Sequence, residues 1–145
     1  MTPPPQHGLR GSTEPLDTAY DVALLDLDGT VYLAGAPIGG AADALHKAAA
    51  AGMRLAYVTN NASRTPAAIA ALLSGFGVPA SPQDVVTSAQ AAARMLADRL
   101  PAGAPVLVVG GSGLRVALRE RGLRPVSTAA EFPLRRKKIT HGIRQ

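Results

Sequence analysis

Two kinds of segment alternate along the chain: short runs of branched aliphatics ending in small or polar residues, and longer Ala/Leu-rich stretches between them. Val22-Ala23-Leu24-Leu25 has no polar interruption and reads as part of a buried parallel strand over 21–27. Val31 to Pro37 is short and turn-rich, the pattern of a small flap. Residues 41–51 are nearly all helix formers, closed by Gly52 in a C-cap role. Leu55-Ala56-Tyr57-Val58 gives a second buried strand, ending in Thr59-Asn60-Asn61. Thr65-Pro66 then supplies an N-cap and a first-turn proline. Ile69, Leu72, Leu73 and Phe76 recur at i, i+3, i+4 and i+7, one face of an amphipathic helix, and Gly75 and Gly77 stop it. The order β-α-β-α implies a parallel sheet with right-handed crossovers.

A second unit is expected from about Asp84. Val85-Val86-Thr87 forms a short strand or link, and Ser88 can cap a helix running to Leu100. After a Pro/Gly loop, Val106 to Val109 is a strand, and Gly110-Gly111-Ser112-Gly113 turns into a helix over 114–121 with Gly122 past its end. Residues 123–128 suit another short strand. From Glu131 neither period persists, and no internal repeat is evident.

At 145 residues the length suits one domain, and the 47% hydrophobic content suffices for a core. Aromatics are only 3%, so that core is Ala, Leu and Val, as in α/β layers. The absence of cysteine excludes disulfides and thiolate metal sites. No apolar run approaches a membrane span, and the Pro- and Gly-rich start has no secretory apolar core, so residues 1–19 are expected to be a disordered leader and the protein cytoplasmic. The formal charge of +5 is uneven: residues 131–145 hold five Lys/Arg and one acid (+4), leaving ten Lys/Arg and nine acids (+1) elsewhere. The basic balance belongs to the tail and not to a folded nucleic-acid face.

The chemistry concentrates in Asp26-Leu27-Asp28-Gly29-Thr30. Alternation along the strand sends Asp26 and Asp28 to the same side, at the carboxyl edge where open α/β sheets place ligands. Two carboxylates there suit a nucleophile, a proton carrier and a shared divalent cation. An Asp-Gly turn between solvated acids is the simpler reading. A calcium loop is excluded, since its sixth and twelfth positions, Gly and Glu, are Val31 and Pro37 here. Val58-Thr59-Asn60-Asn61 ends a strand at the same edge, where hydroxyl, amide and backbone N–H groups can hold phosphate oxygens or simply make and cap a turn.

The two motifs together, with about thirty residues of flap and helix between them and Ala62-Ser63-Arg64-Thr65 following, resemble the haloacid dehalogenase superfamily. Thr59-Asn60-Asn61 and the later Val86-Thr87-Ser88-Ala89 resemble its class IIA phosphatases, the 4-nitrophenyl-phosphatase and glycerol-phosphate phosphatase group, over residues 20–128. The resemblance implies an α/β fold, a partial Rossmann-like parallel-sheet core (20–83) followed by the beginning of an α/β cap domain (84–130); the loss of pattern from Glu131 makes residues 131–145 a basic unstructured tail. It implies that Asp26 is the nucleophile, forming an aspartyl-phosphate, and that Asp28 protonates the leaving oxygen and then activates water. Mg²⁺ would be held by an Asp26 oxygen and the Asp28 carbonyl. Gly29 and Thr30 would shape the loop, and Thr59, with Asn60 and Asn61, would bind phosphate. The implied substrates are small phosphorylated metabolites of the glycerol or sugar phosphate class.

Two family pieces find no match: a Lys that neutralises nucleophile and phosphate, and an acidic Gly-Asp motif that completes the magnesium site. No Asp follows Asp98, and the only lysines are Lys47, Lys137 and Lys138. The chain therefore reads as the N-terminal part of a longer phosphatase, weakly active or inactive alone, with a frameshift or premature stop as the favoured origin of the tail. Rival readings are weaker. A dinucleotide turn at Gly111-x-Gly113 requires Gly at 116, which is Val116. A nucleophile elbow around Ser112 requires Gly where Leu114 stands. A non-catalytic α/β binding protein would contact anionic partners through Arg135 to Lys138. Oligomeric state is not readable from these patterns.

Overall fold

The computed structural model describes residues 13–128. The expected basic tail, and most of the expected leader, lie outside that span. Within it, Leu16–Ala19 form one helical turn (α1) at the end of the segment expected to be disordered. The order then runs β1 (Val22–Asp26), β2 (Tyr32–Leu33), β3 (Ala36–Pro37), α2 (Ala41–Ala50), β4 (Arg54–Thr59), α3 (Pro66–Gly75), β5 (Val85–Thr87), α4 (Ser88–Ala97), β6 (Pro105–Leu107), α5 (Ser112–Glu120) and β7 (Arg124–Val126). These α/β elements follow the pattern read from the sequence. Contacts divide them into two compact units: residues through Thr59 with Pro66–Val86, and Asn60–Thr65 with the residues from Thr87 on. Val85 and Val86, expected in the second unit, thus group with the first.

In the first unit β1 and β4 pair in parallel, Val22 with Arg54 through Asp26 with Val58, and β5 lies on the far side of β4. The core packs Leu27, Leu45, Tyr57, Ile69, Leu73, Val78 and Val85 together, so α2 and α3 cover one face of the sheet. Among the described residues of this unit, none forms a core on the other face. Leu24 is 75% exposed, and Val22, Val58 and Val86 are exposed as well. This corrects the expectation that 22–25 is buried on both sides. The strand order β1-β4-β5 follows the chain order, so successive right-handed crossovers place both connecting helices on the same face. An uninterrupted apolar run implies two covered faces only when helices flank the sheet on both.

Tyr57 is fully buried, and its hydroxyl donates to the Pro79 carbonyl at 2.6 Å. Burial, followed by the nearby Asp84 charge, pushes its pKa up to about 12. Because the folded state holds this proton more tightly than the unfolded chain, whose tyrosines titrate near 10, its contribution is complete below pH ~10. That contribution is lost as pH rises from about 10 to about 12. Denaturant midpoints measured across that window should fall for the native chain, and Tyr57→Phe should remove this component of the fall.

The second unit packs Ala89, Ala93, Val108, Ala117, Leu118 and Leu123 around a parallel β6–β7 pair. The N-cap of α4 is Thr87 rather than the expected Ser88. The Thr87 hydroxyl accepts from Gln90 N, and the Gln90 carboxamide accepts from Thr87 N, a complete capping box. Among the described residues no helix is long and apolar enough to cross a membrane.

Candidate functional site

β1 delivers Asp26 to the carboxyl rim of the sheet, and β4 delivers Thr59 to the same rim. The register pairs Asp26 with Val58, so Thr59 lies one rung further along an adjacent strand. Asp26 is exposed and Thr59 is only 5% exposed, as alternation requires when one face is bare and the other covered.

Beyond Asp26 the chain folds around one carbonyl. The Leu27 side chain is fully buried, while Asp26 and Asp28 on either side of it are exposed. The Leu27 oxygen accepts from the N–H groups of Thr30, Val31 and Tyr32 at 3.3, 2.9 and 3.2 Å. Gly29 N–H donates to the Tyr32 oxygen at 2.7 Å, closing an isolated bridge between Asp28 and Tyr32. The bridge uses the Leu27 and Tyr32 carbonyls and leaves the Asp28 carbonyl out of the pairing. Gly29 sits at φ +82°, a backbone region that L side chains rarely adopt, so glycine is required for this reversal. The expected flap is the β2–β3 hairpin, turned by Ala34 and Gly35, both at positive φ as a two-residue hairpin loop demands. Tyr32 packs back onto Phe76, ring centroids 5.9 Å apart.

Asn60 and Asn61 begin the next loop, and the Asn61 side chain is engaged in it. Its Oδ1 accepts from the N–H of Ser63 at 2.9 Å and of Arg64 at 3.2 Å. This is the turn-and-cap role that Asn at such a position commonly takes. The Asn60 carbonyl accepts from the Ser88 hydroxyl at 2.8 Å. The Ser63 carbonyl accepts from Gly113 N–H at 2.9 Å and from the Ser112 hydroxyl at 3.3 Å. Ser88, Ser112 and Gly113 are therefore loop-holding residues that motif reading alone did not assign.

For a metal, the oxygen donors at the rim include the exposed Asp26 carboxylate and the Asp28 carbonyl left out of the bridge. That set suits a hard cation such as Mg²⁺. No cluster of three or more His, Cys, Asp or Glu side chains occurs among the described residues, so the set is sparse.

Comparison with known proteins identifies the family. The model of the haloacid dehalogenase-like hydrolase family matches residues 23–124. A D-glycerol 3-phosphate phosphatase of Mycobacterium tuberculosis is 45% identical over 114 residues, 79% of this chain and 31% of that protein. An acid sugar phosphatase of Staphylococcus aureus is 41% identical over 104 residues, 72% of this chain and 40% of that protein. Crystal structures of a glycerol phosphate phosphatase from M. tuberculosis, in complex with calcium and with magnesium, superpose with TM-scores of 0.75 and 0.71 at 42% and 45% identity. They cover 81% and 76% of this chain, which spans 34% and 33% of theirs. The chain thus spans between about a third and two-fifths of the length of the relatives it matches. By its matched family model, its parallel β1–β4 core and its Asp26–Thr30 and Val58–Thr65 motifs, the chain belongs to the haloacid dehalogenase-like hydrolases.

Proposed function

We propose that the chain carries the nucleophile-bearing part of a phosphatase that hydrolyses small phosphate monoesters of the glycerol or sugar phosphate class. One observation carries the reading: parallel pairing of β1 and β4 brings Asp26 and Thr59 to the same rim, with Asp28 exposed just beyond. The names of the relatives, a glycerol 3-phosphate phosphatase and an acid sugar phosphatase, support the substrate class.

In this reading an Asp26 oxygen attacks phosphorus, the P–O bond to the substrate breaks, and an acyl phosphate forms. Asp28 gives its proton to the departing alkoxide and later accepts one from the water that attacks the acyl phosphate. Inorganic phosphate leaves and Asp26 is regenerated. The Thr59 hydroxyl, shielded from bulk water, hydrogen-bonds the transferred group, and the Asn60–Asn61 backbone assists. Gly29 and Thr30 keep the acids at the rim by turning the chain. The Asp26 carboxylate and the Asp28 carbonyl would hold Mg²⁺, which when bound would supply positive charge to offset repulsion between carboxylate and phosphate. A relative's magnesium complex supports that choice of cation.

The test is covalent labelling, which does not require fast turnover. Acid quenching of the chain incubated with 4-nitrophenyl phosphate and Mg²⁺ should give a peptide heavier by one phosphoryl group, mapped to Asp26 by mass spectrometry. Asp26→Asn should abolish the label. Labelling at another residue, or equal labelling of the variant, overturns the assignment.

A further inference from the structure

The backbone of Tyr32 closes the loop that carries Asp28, while its ring lies against the end of α3. We infer that Tyr32, through its ring contact with Phe76, is a positioning residue that holds the Asp28–Gly29 segment at the rim; this rests on the phosphatase reading above.

Two core side chains anchor the base of the loop, Leu27 at 0% and Val31 at 2% exposure. Between them Asp28, Gly29 and Thr30 are all exposed, so burial does not fix them. Thr30 N–H reaches the Leu27 carbonyl at a long 3.3 Å, and the shorter bond, 2.7 Å, runs from Gly29 N–H to the Tyr32 carbonyl. Gly29 N–H and the Asp28 carbonyl share one planar trans peptide and point in opposite directions. Holding the N–H on Tyr32 therefore aims the Asp28 carbonyl away from Tyr32, and it fixes the Cα from which the Asp28 carboxyl group projects.

Both main-chain groups of Tyr32 are turned to this loop. Its N–H donates to the Leu27 carbonyl at 3.2 Å, and its carbonyl accepts from Gly29. Opposite it in the hairpin stands Pro37, which has no N–H to compete for that carbonyl. Each hairpin strand is only two residues long, and so short a ribbon is not rigid by itself. The Tyr32 ring supplies the anchor. It packs on Phe76, just past the end of α3, with centroids 5.9 Å apart and planes inclined at 54°, a favourable tilted pair. Both rings also pack against the core of the first unit, to which all of these groups belong.

The experiment uses the full chain with Tyr32→Leu, Phe76→Leu and Tyr32→Phe. The two leucines keep an apolar side chain and remove one ring, and Tyr32→Phe keeps both rings. In ligand-free two-dimensional NMR, each leucine variant should speed hydrogen exchange of the Gly29 amide about 2–10-fold, the factor an aromatic pair contributes. Amides of β4 should be unchanged, and Tyr32→Phe should match the native chain. Initial rates of acyl-phosphate formation with Mg²⁺ then separate positioning from general loosening. The alkoxide leaving glycerol 3-phosphate needs the Asp28 proton, whereas 4-nitrophenolate is stable enough to depart without one. The leucine variants should lose about tenfold with glycerol 3-phosphate, part of what a placed general acid supplies, and no more than about twofold with 4-nitrophenyl phosphate. Gly29 exchange unmoved in both leucine variants, exchange raised equally across the first unit, or equal losses with the two substrates overturns the inference. Phe76→Leu leaves the loop sequence intact, so it decides the matter if Tyr32→Leu does not fold. If the native chain takes no label from either substrate, the phosphatase reading fails and the positioning role falls with it. The ligand-free exchange distinguishes that result from a Tyr32 that does not hold the loop.

Discussion

Purified 145-residue chain, given 4-nitrophenyl phosphate and Mg²⁺, is expected to turn over on the order of 10⁴–10⁶ times more slowly than an ordinary phosphatase, since each missing charge-stabilising group costs about a hundredfold to a thousandfold. Two such groups find no match in this sequence. There is no lysine between Lys47 and Lys137, and no aspartate after Asp98. In the proposed site a cation would take one carboxylate and one carbonyl, and Mg²⁺ gives up its water reluctantly to so few ligands. Phosphate then meets Asp26 and Asp28 with little positive charge to balance them. Steady-state assays over a range of Mg²⁺ concentrations check this. Hydrolysis at ordinary enzyme rates that disappears in Asp26→Asn would refute the prediction.

Gly113→Ala is expected to destabilise the second unit by about 1–3 kcal/mol, the usual cost of forcing an extra carbon into a packed site. A Cβ at this position would lie 2.5 Å from the Arg64 oxygen and 2.6 Å from the Ala62 oxygen. Both are backbone atoms, so neither can swing aside as a side chain would, and the bond from Gly113 N–H to the Ser63 carbonyl would be strained with them. Gly39→Ala is the control, because nothing lies within 4 Å of its added carbon. Thermal unfolding should show a midpoint several degrees lower for Gly113→Ala and nearly unchanged for Gly39→Ala. Equal midpoints for the two variants would mean the loop yields more readily than its contacts suggest.

The run Gly110 to Gly113 illustrates what a sequence conveys and what it withholds. Its position after an apolar strand announces a β-to-α turn, and spacing alone excludes a dinucleotide turn. The reason for glycine at 113 is a loop 49 residues earlier in the chain, and no local pattern encodes that contact. The rim acids and Thr59 are different. Each ends an apolar run beside a turn, so strand direction and the sheet edge follow from neighbours. Thr87 stood in the sequence with Gln90 three residues on, which is capping-box spacing. Reading that spacing would have passed the cap from Ser88 to Thr87 and left the Ser88 hydroxyl to be explained. The bare side of β1 could not be read from Val22 to Leu25, because covering one side or two is decided by the spatial order of strands.

The sheet side that presents Val22, Leu24, Val58 and Val86 to water has a practical consequence. Four aliphatic groups gathered on one surface make like molecules adhere while their interiors remain intact. Handling of this polypeptide is therefore expected to depend on concentration and salt, through association of that side.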